Sequence, residues 1–279
     1  MNAGSFSRYV MMEELGQGGM ATVYRAYDPL FEREVALKIL RKELLNDTQV
    51  RERFERETKI IAKLENEAIV PVYDVGRDND QLFFVMRYMA GGSLSDRIQK
   101  GAIPLVEIIH IIQRIGAALD YAHAKGIIHR DLKPGNILFD EFNNAFISDY
   151  GIAKLAHAST KLTASGIIGT PTYMSPEQAQ GDEVDEHSDI YSLGVILFEM
   201  LSGKTPFEAT TPLGMAYKHA TEPVPHIRAI NPNMPFGVDI VLAKTLAKDP
   251  AERYGSATEF ANAFTKALSE PVMPDANTL

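Results

Sequence analysis

Ile127-Ile128-His129-Arg130-Asp131-Leu132-Lys133-Pro134-Gly135-Asn136-Ile137-Leu138-Phe139 is the stretch on which the reading of this sequence turns. His129, Arg130, Asp131, Lys133 and Asn136 crowd polar side chains into eight positions, and the runs on either side are apolar enough to be buried strands. Polarity concentrated between buried flanks predicts a site rather than a surface turn. Asp131 has the chemistry to accept a proton from an incoming hydroxyl. Further on, Asp149-Tyr150-Gly151 follows another short strand, expected over Ala145–Ser148. Asn136 and Asp149 together offer oxygen ligands for a hard cation; Mg²⁺ takes one or two carboxylates with phosphate oxygens and water. Alone, Asp-Tyr-Gly is more often a turn than a metal site.

Upstream, Gly16-Gln17-Gly18-Gly19-Met20-Ala21-Thr22-Val23 lies between two predicted strands, Val10–Leu15 and Thr22–Tyr27. A dinucleotide-binding loop or a Walker loop would lead into a helix. Here the chain returns into a strand, so the turn is a hairpin. Glycines at its tip let backbone N–H groups approach phosphate oxygens with no Cβ in the way, although an ordinary glycine hairpin looks the same. The next strand, Glu34–Leu40, carries Val35-Ala36-Leu37-Lys38. Alternation puts Lys38 on the face of Ala36, pointing inward, and a buried ammonium is costly unless paired. Glu57, in a helix expected over Thr48–Leu64, is a suitable partner; Glu52 and Glu55 are alternatives, and Lys38 alone reads equally as a strand-edge lysine. That helix would be capped by Asn46 or Asp47 and would bury Phe54, Ile60, Ile61 and Leu64. Val70–Val75 and Leu82–Tyr88 complete the strands, joined by a hairpin loop over Arg77-Asp78-Asn79-Asp80.

Beyond Ala90-Gly91-Gly92 the pattern becomes helical. Val106–Lys125 sets Ile108, Ile112, Ile115, Leu119 and Ala122 on one stripe, and Gly126 stops it. Asp189–Leu201 is apolar on nearly every face and predicts a fully buried helix. Ser256-Ala257-Thr258-Glu259 matches a capping box before Phe260, Phe264 and Leu268. Thr221–Pro235 is rich in proline and reads as a loop, and Ser269–Leu279 as a frayed tail or linker.

Composition narrows the function. The 279 residues carry 28 Lys and Arg against 37 Asp and Glu, a net charge of −9, which argues against nucleic acid as a main partner. With 45% hydrophobic residues the chain can fill a core and is not a disordered one. There is no Cys, which excludes disulfides, thiolate metal sites and a catalytic thiol. Met1–Ser7 is small and polar, unlike a secretory signal. The longest largely apolar run, about Val195–Leu201 with Glu199 inside it, is far shorter than the ~20 residues of a membrane helix, so no membrane contact by this chain itself is expected.

The order of these features is more specific than any one of them: glycine hairpin, Val-Ala-Leu-Lys, helix Glu, His-Arg-Asp-Leu-Lys-Pro-Gly-Asn, Asp-Tyr-Gly, Ser175-Pro176-Glu177. Over about residues 9–268 the series resembles the eukaryotic-type protein kinase family. Gly18-Gly19-Met20-Ala21-Thr22-Val23-Tyr24 and Gly169-Thr170-Pro171-Thr172-Tyr173-Met174-Ser175-Pro176-Glu177-Gln178 make it similar to the bacterial Ser/Thr kinases that are often membrane receptors. The resemblance implies an α+β, bilobal kinase domain over 1–279. Its N-lobe would be a small antiparallel sheet with one regulatory helix, about 9–89. A larger, mainly helical C-lobe would follow over 90–268, then a tail or juxtamembrane linker over 269–279.

By the same resemblance, the enzyme transfers the γ-phosphoryl of ATP, with Mg²⁺ or alternatively Mn²⁺, to Ser or Thr hydroxyls of proteins. The alternative is a nucleotide-binding pseudokinase scaffold, against which Lys38, Asp131, Asn136 and Asp149 all stand. Gly16 and Gly18 would cover the phosphates. Leu15, Val23, Ala36 and Leu138 would enclose the adenine, Met86 would back its pocket, and Arg87–Met89 would be the hinge. Lys38, positioned by Glu57, would hold the α- and β-phosphates; Asp131 would be the base; Lys133 would neutralise the γ-phosphate; Asn136 and Asp149 would hold the cation. Lys133 and Thr170 favour Ser/Thr acceptors over Tyr. Arg130 would pair with a phosphate on the segment Ile152–Met174, whose candidate acceptors are Ser159, Thr160, Thr163 and Ser165, then Thr172, phosphorylated by the kinase itself. Glu177 and Arg253 would form a buried ion pair, and Asp189 would brace the catalytic loop. Phe31 would mark an N-lobe dimer face or be a lone exposed apolar residue. Such a domain would be cytoplasmic, as part of a membrane-anchored receptor. Departures are Ala21 for the third loop glycine, Tyr150 for the usual Phe, Ser175 for Ala and Arg87 at an often acidic hinge position.

Overall fold

The computed structural model describes residues 5–18, 21–41, 64–79, 81–150 and 171–269. They form two compact units, 5–92 with 138–150, and 93–137 with 171–269. In the first, β1 (Ser5–Phe6), β2 (Tyr9–Gln17), β3 (Ala21–Asp28), β4 (Arg33–Leu40), β5 (Val72–Asp78) and β6 (Gln81–Arg87) make one antiparallel sheet in the order β1-β2-β3-β4-β6-β5. The five strands expected up to Tyr88 all form within three residues of their expected bounds, the largest shift being β5, expected over Val70–Val75. β4 is buried from Val35 to Leu40 because both faces of this central strand are covered. On one face Ala36 and Leu40 pack with Val70, Phe84, Met86 and Phe146; on the other Val35, Leu37 and Ile39 pack with Tyr9, Ala26 and Phe83.

Local corrections have local causes. The β5–β6 connection is tighter than the expected four-residue loop: Arg77 and Asp78 pair with Leu82 and Gln81, and Asn79 takes the left-handed φ of 45° that a short turn requires. Ile127 and Ile128 form no strand; they are half-buried and follow Gly126. Ile137–Phe139 (β7) does pair, with Ala145–Ile147 (β8). Gly91 N–H donates to Phe139 O and Phe139 N–H to Gly92 O, and a Cβ on Gly91 would lie 2.6 Å from Asp140 O. Glycine is required there by close backbone approach. Leu64 is buried but not helical, and the rest of the helix expected over 48–64 lies outside the described residues.

The second unit holds α1 (Leu94–Lys100), α2 (Leu105–His123), α3 (Pro176–Gln180), α4 (Glu186–Ser202), α5 (Pro212–Thr221), α6 (Phe236–Thr245) and α7 (Ala257–Leu268). The predicted α2 stripe is buried, and Gly126 beyond it has φ 71°. α4 is the core helix: every residue from Ser188 to Leu201 except Glu199 is buried. Its Gly194 allows close packing, since a Cβ would meet Thr245 Cγ2 at 2.6 Å. At α7 only half of the expected capping box forms; Ser256 Oγ accepts from Glu259 N–H, while Glu259 Oε2 accepts from Gly255 N–H, one residue too early. Complete boxes form at α1, between Ser93 and Asp96, and at α3, between Ser175 and Gln178.

Arg253 and Glu177 form the expected buried pair, bidentate at 2.8 Å on both arms, with Ser188 Oγ donating to the same carboxylate. Burial alone would raise the Glu177 pKa, but the Arg253 and Ser188 hydrogen bonds outweigh it and hold the carboxyl below its ordinary value. Arg253 also donates to the carbonyls of Ala247, His187 and Lys248, so the pair ties three segments together. Arg253→Met strands a buried carboxylate and is expected to lose about 3–5 kcal/mol in a guanidinium unfolding experiment. The double variant with Glu177→Leu should regain at least half of that loss, which a simple packing defect at residue 253 would not allow.

Candidate active site

The polar loop is built from α4 outward. Asp189 sits in the first turn of that helix and is 1% exposed. Its carboxylate accepts the N–H groups of His129 at 2.8 Å and Arg130 at 2.9 Å, and meets His123 Nε2 at 2.7 Å. Arg130 has φ 67°, a backbone conformation that a non-glycine residue adopts only when its surroundings impose it. Gln178 imposes it from the other side, donating through Nε2 to Arg130 O at 2.8 Å. The next residue is Asp131, whose N–H donates to His129 Nδ1 at 3.2 Å. The chain then enters a 3₁₀ turn, Pro134–Asn136.

This backbone brings three predicted site residues together. Lys133 Nζ donates to Asp131 Oδ2 at 2.7 Å. Asn136 Nδ2 donates to Asp131 O at 2.7 Å and approaches Oδ2 at 3.3 Å. Asp131 and Lys133 side chains are each 42% exposed, whereas Asn136 is buried, so the carboxylate is oriented from beneath and open above.

In the first unit, Val23, Ala36, Met86, Met89 and Leu138 join a single apolar cluster. Lys38 is buried, on the predicted face, and its Nζ donates to Asp149 Oδ1 at 2.7 Å. Asp149 has φ 65°, the second left-handed non-glycine residue at a predicted site position. Leu15 is the extra residue of a β-bulge in β2 and is 44% exposed. The glycine turn closes as a hairpin, Gly18 N–H donating to Ala21 O at 2.9 Å. A Cβ on Gly16 would meet nothing within 4 Å, and one on Gly18 only Ala21 O at 3.6 Å. Protein packing therefore does not demand glycine at either position. The Arg87 side chain leaves the hinge backbone for Glu141 at 3.3 Å and Asp140 at 3.7 Å. Glu57, Thr160, Thr163, Ser165 and Thr170 lie outside the described residues.

Sequence reasoning missed Gln178 and His219. Gln178 was legible as the fourth member of Ser175-Pro176-Glu177-Gln178, a capping-box spacing. His219 carries no such signal. It is fully buried in α5, its Nε2 2.9 Å from Thr172 O and its Nδ1 3.0 Å from Tyr191 Oη.

The protein kinase domain family matches residues 9–270, and the chain belongs to that family. It is 39% identical over 253 residues to the serine/threonine-protein kinase PrkC of Bacillus subtilis, covering 90% of this chain and 39% of that protein. It is 35% identical over 271 residues to PknL of Mycobacterium tuberculosis, covering 96% of this chain and 68% of that one. Among solved structures, the PknI kinase domain of M. tuberculosis superposes with a TM-score of 0.77 at 29% identity, covering 96% of this chain and 99% of that one. The fold is thus the α+β protein-kinase fold. The chain spans about two fifths of the length of several curated relatives that it matches, PrkC among them.

Burial pushes the His219 imidazole down to about 4. Its folded pKa lies below the unfolded one, so between pH 6.5 and 4 the unfolded chain binds more protons, and stability falls as pH drops through that window. From pH 7 to pH 4.5 the wild type should lose roughly 2–3 kcal/mol more than His219→Gln, read by urea unfolding at the two pH values. Equal losses would show that His219 is not held neutral.

Proposed function

We propose that this chain is the catalytic domain of a serine/threonine protein kinase that transfers the γ-phosphoryl group of ATP to Ser or Thr hydroxyls of proteins. The observation that carries the reading is the Asp131 carboxylate, held by Lys133 Nζ at 2.7 Å with Asn136 Nδ2 against it. In this reading the acceptor hydroxyl gives its proton to Asp131 as its oxygen attacks the γ-phosphorus. The new P–O bond forms as the bond to the β–γ bridging oxygen breaks, and that electron pair leaves with ADP. Lys133 offsets charge on the γ-phosphate, and Lys38 charge on the α- and β-phosphates. The two lysines and one base suit a reaction limited by alignment and charge rather than by covalent chemistry.

In the same reading, and by the family resemblance, Asn136 and Asp149 would hold Mg²⁺, with Mn²⁺ as the alternative: an amide oxygen and a carboxylate are the hard donors such a cation takes. The cation would neutralise phosphate charge. Lys133 beside the base supports Ser and Thr acceptors. Autophosphorylation on Thr160, Thr163 or Ser165 belongs to the same reading and rests on the family resemblance. So do self-association through the exposed Phe31 and a cytoplasmic place in a membrane-anchored receptor. No helix among the described residues is long and apolar enough to cross a membrane.

Two variants test the chemistry. Asp131→Asn should lower kcat for phosphorylation of a basic acceptor protein by roughly 10²–10⁴-fold; an unchanged rate removes Asp131 as the base. Gly18→Val should fold normally, because the space for a side chain is open, yet raise the KM for ATP by about tenfold through a lost backbone–phosphate contact. An unaltered KM with an unaltered melting temperature would leave the glycine turn without a role toward nucleotide.

A further inference from the structure

The turn Pro171–Tyr173 is gripped from two sides by side chains with no part in the chemistry above. From α4, Ser192 Oγ donates to Tyr173 O at 2.7 Å and Glu199 accepts from Tyr173 Oη at 2.7 Å. From α5, His219 Nε2 reaches Thr172 O at 2.9 Å. A carbonyl only accepts, so Nε2 carries the proton; Nδ1 is then a lone pair, and the Tyr191 hydroxyl donates to it at 3.0 Å. The ring is fully buried, edge-on to Tyr191 and Phe207 at centroid distances of 5.7 and 5.1 Å.

The backbone that carries the ring is pinned as well. In a continuing helix His219 O would accept from residue 223, but that residue is Pro223 and has no N–H. Lys248 Nζ fills the gap at 2.8 Å, so a side chain from beyond α6 fixes α5 at the histidine itself. The turn so held lies two residues before Ser175, the cap of α3, and it is α3 whose Gln178 bonds the carbonyl of Arg130, next to Asp131. Every link from His219 to the loop of the base is thus a hydrogen bond or a short run of covalent backbone.

We propose that His219 is a positioning residue for the protein acceptor: by fixing the carbonyl of Thr172 it sets where the backbone at 171–174 meets a bound Ser or Thr segment beside Asp131. The inference rests on the kinase reading and concerns only the acceptor. Loss of the bond should therefore weaken acceptor binding while leaving the handling of ATP alone.

Steady-state kinetics of the full chain with a basic acceptor protein test this. His219→Leu should raise the KM for acceptor by about tenfold, the equivalent of one net hydrogen bond. The KM for ATP and acceptor-free ATP hydrolysis should stay within about twofold of wild type. His219→Gln, whose amide nitrogen can still donate toward Thr172, should restore the acceptor KM to within about threefold, whereas His219→Asn is too short and should not. Lys248→Met should move the acceptor KM in the same direction by a smaller factor. If His219→Leu does not fold, the Gln and Asn variants decide between themselves. An acceptor KM unchanged in Leu, or equal in Gln and Asn, overturns the inference. So does a fall in kcat for transfer and hydrolysis together at constant KM, the mark of a merely destabilised protein. A wild-type chain that transfers no phosphate overturns the kinase reading, and this inference with it.

Discussion

A single buried carboxylate sets the geometry of the polar loop. Asp189 enters a helix that is otherwise packed on nearly every side, and a charge at 1% exposure is tolerable only if its acceptor capacity is filled. It is filled by two consecutive backbone N–H groups, those of His129 and Arg130, and by the ring of His123. The exchange works in both directions. The helix obtains partners for its charge, and the loop obtains the left-handed Arg130 that turns Asp131 out of the core. Strain of order 1–3 kcal/mol at such a residue persists only where the surroundings over-determine it. Here Asp189 holds the N–H of Arg130 and Gln178 its carbonyl.

Strain of the same kind recurs at Asp149, φ 65°, whose carboxylate receives the Lys38 ammonium at 2.7 Å. Left-handed non-glycine residues also occur in turns, at Asn79 and Asn143 among others, but Arg130 and Asp149 are the two that lie at or beside residues the sequence singled out for the chemistry. Lys38 has little freedom to leave this pairing without another anion, because it lies 8% exposed among Ala36, Leu40 and their apolar neighbours. A nucleotide would bring such anions. The pair therefore holds the ammonium in one place among apolar side chains.

Much of this was legible before any coordinates. Strands with period-two alternation, the α2 stripe at period 3.6 and the all-apolar α4 announced themselves, since burial dictates those patterns. The roles of Asp189, Glu177 and Arg253 were implied by the family resemblance and not by local pattern, because each acts through partners 59 to 76 residues away. Where the reading failed, a short-range rule met a tertiary alternative. Ile127-Ile128 has strand composition but pairs with no strand among the described residues. Glu259 has capping-box spacing but bonds Gly255 instead. His219 was invisible because a histidine in Ala216-Tyr217-Lys218-His219 looks like any half-polar helix; only Pro223, four residues on, hints that a carbonyl there needs outside help.

The glycines make the remaining distinction between what the protein needs for itself and what it keeps for a ligand. Gly91, Gly116 and Gly194 are demanded by the fold, since a Cβ at any of them would lie within 3.0 Å of backbone or side-chain atoms. Gly16 and Gly18 face no such conflict, and neither has the positive φ that would exclude a side chain. A residue with a Cβ would lose less entropy on folding there, so by stability alone glycine is the poorer choice. The fold therefore accounts for the first set; under the proposed kinase reading, the second would let a chain of phosphates come close to the backbone.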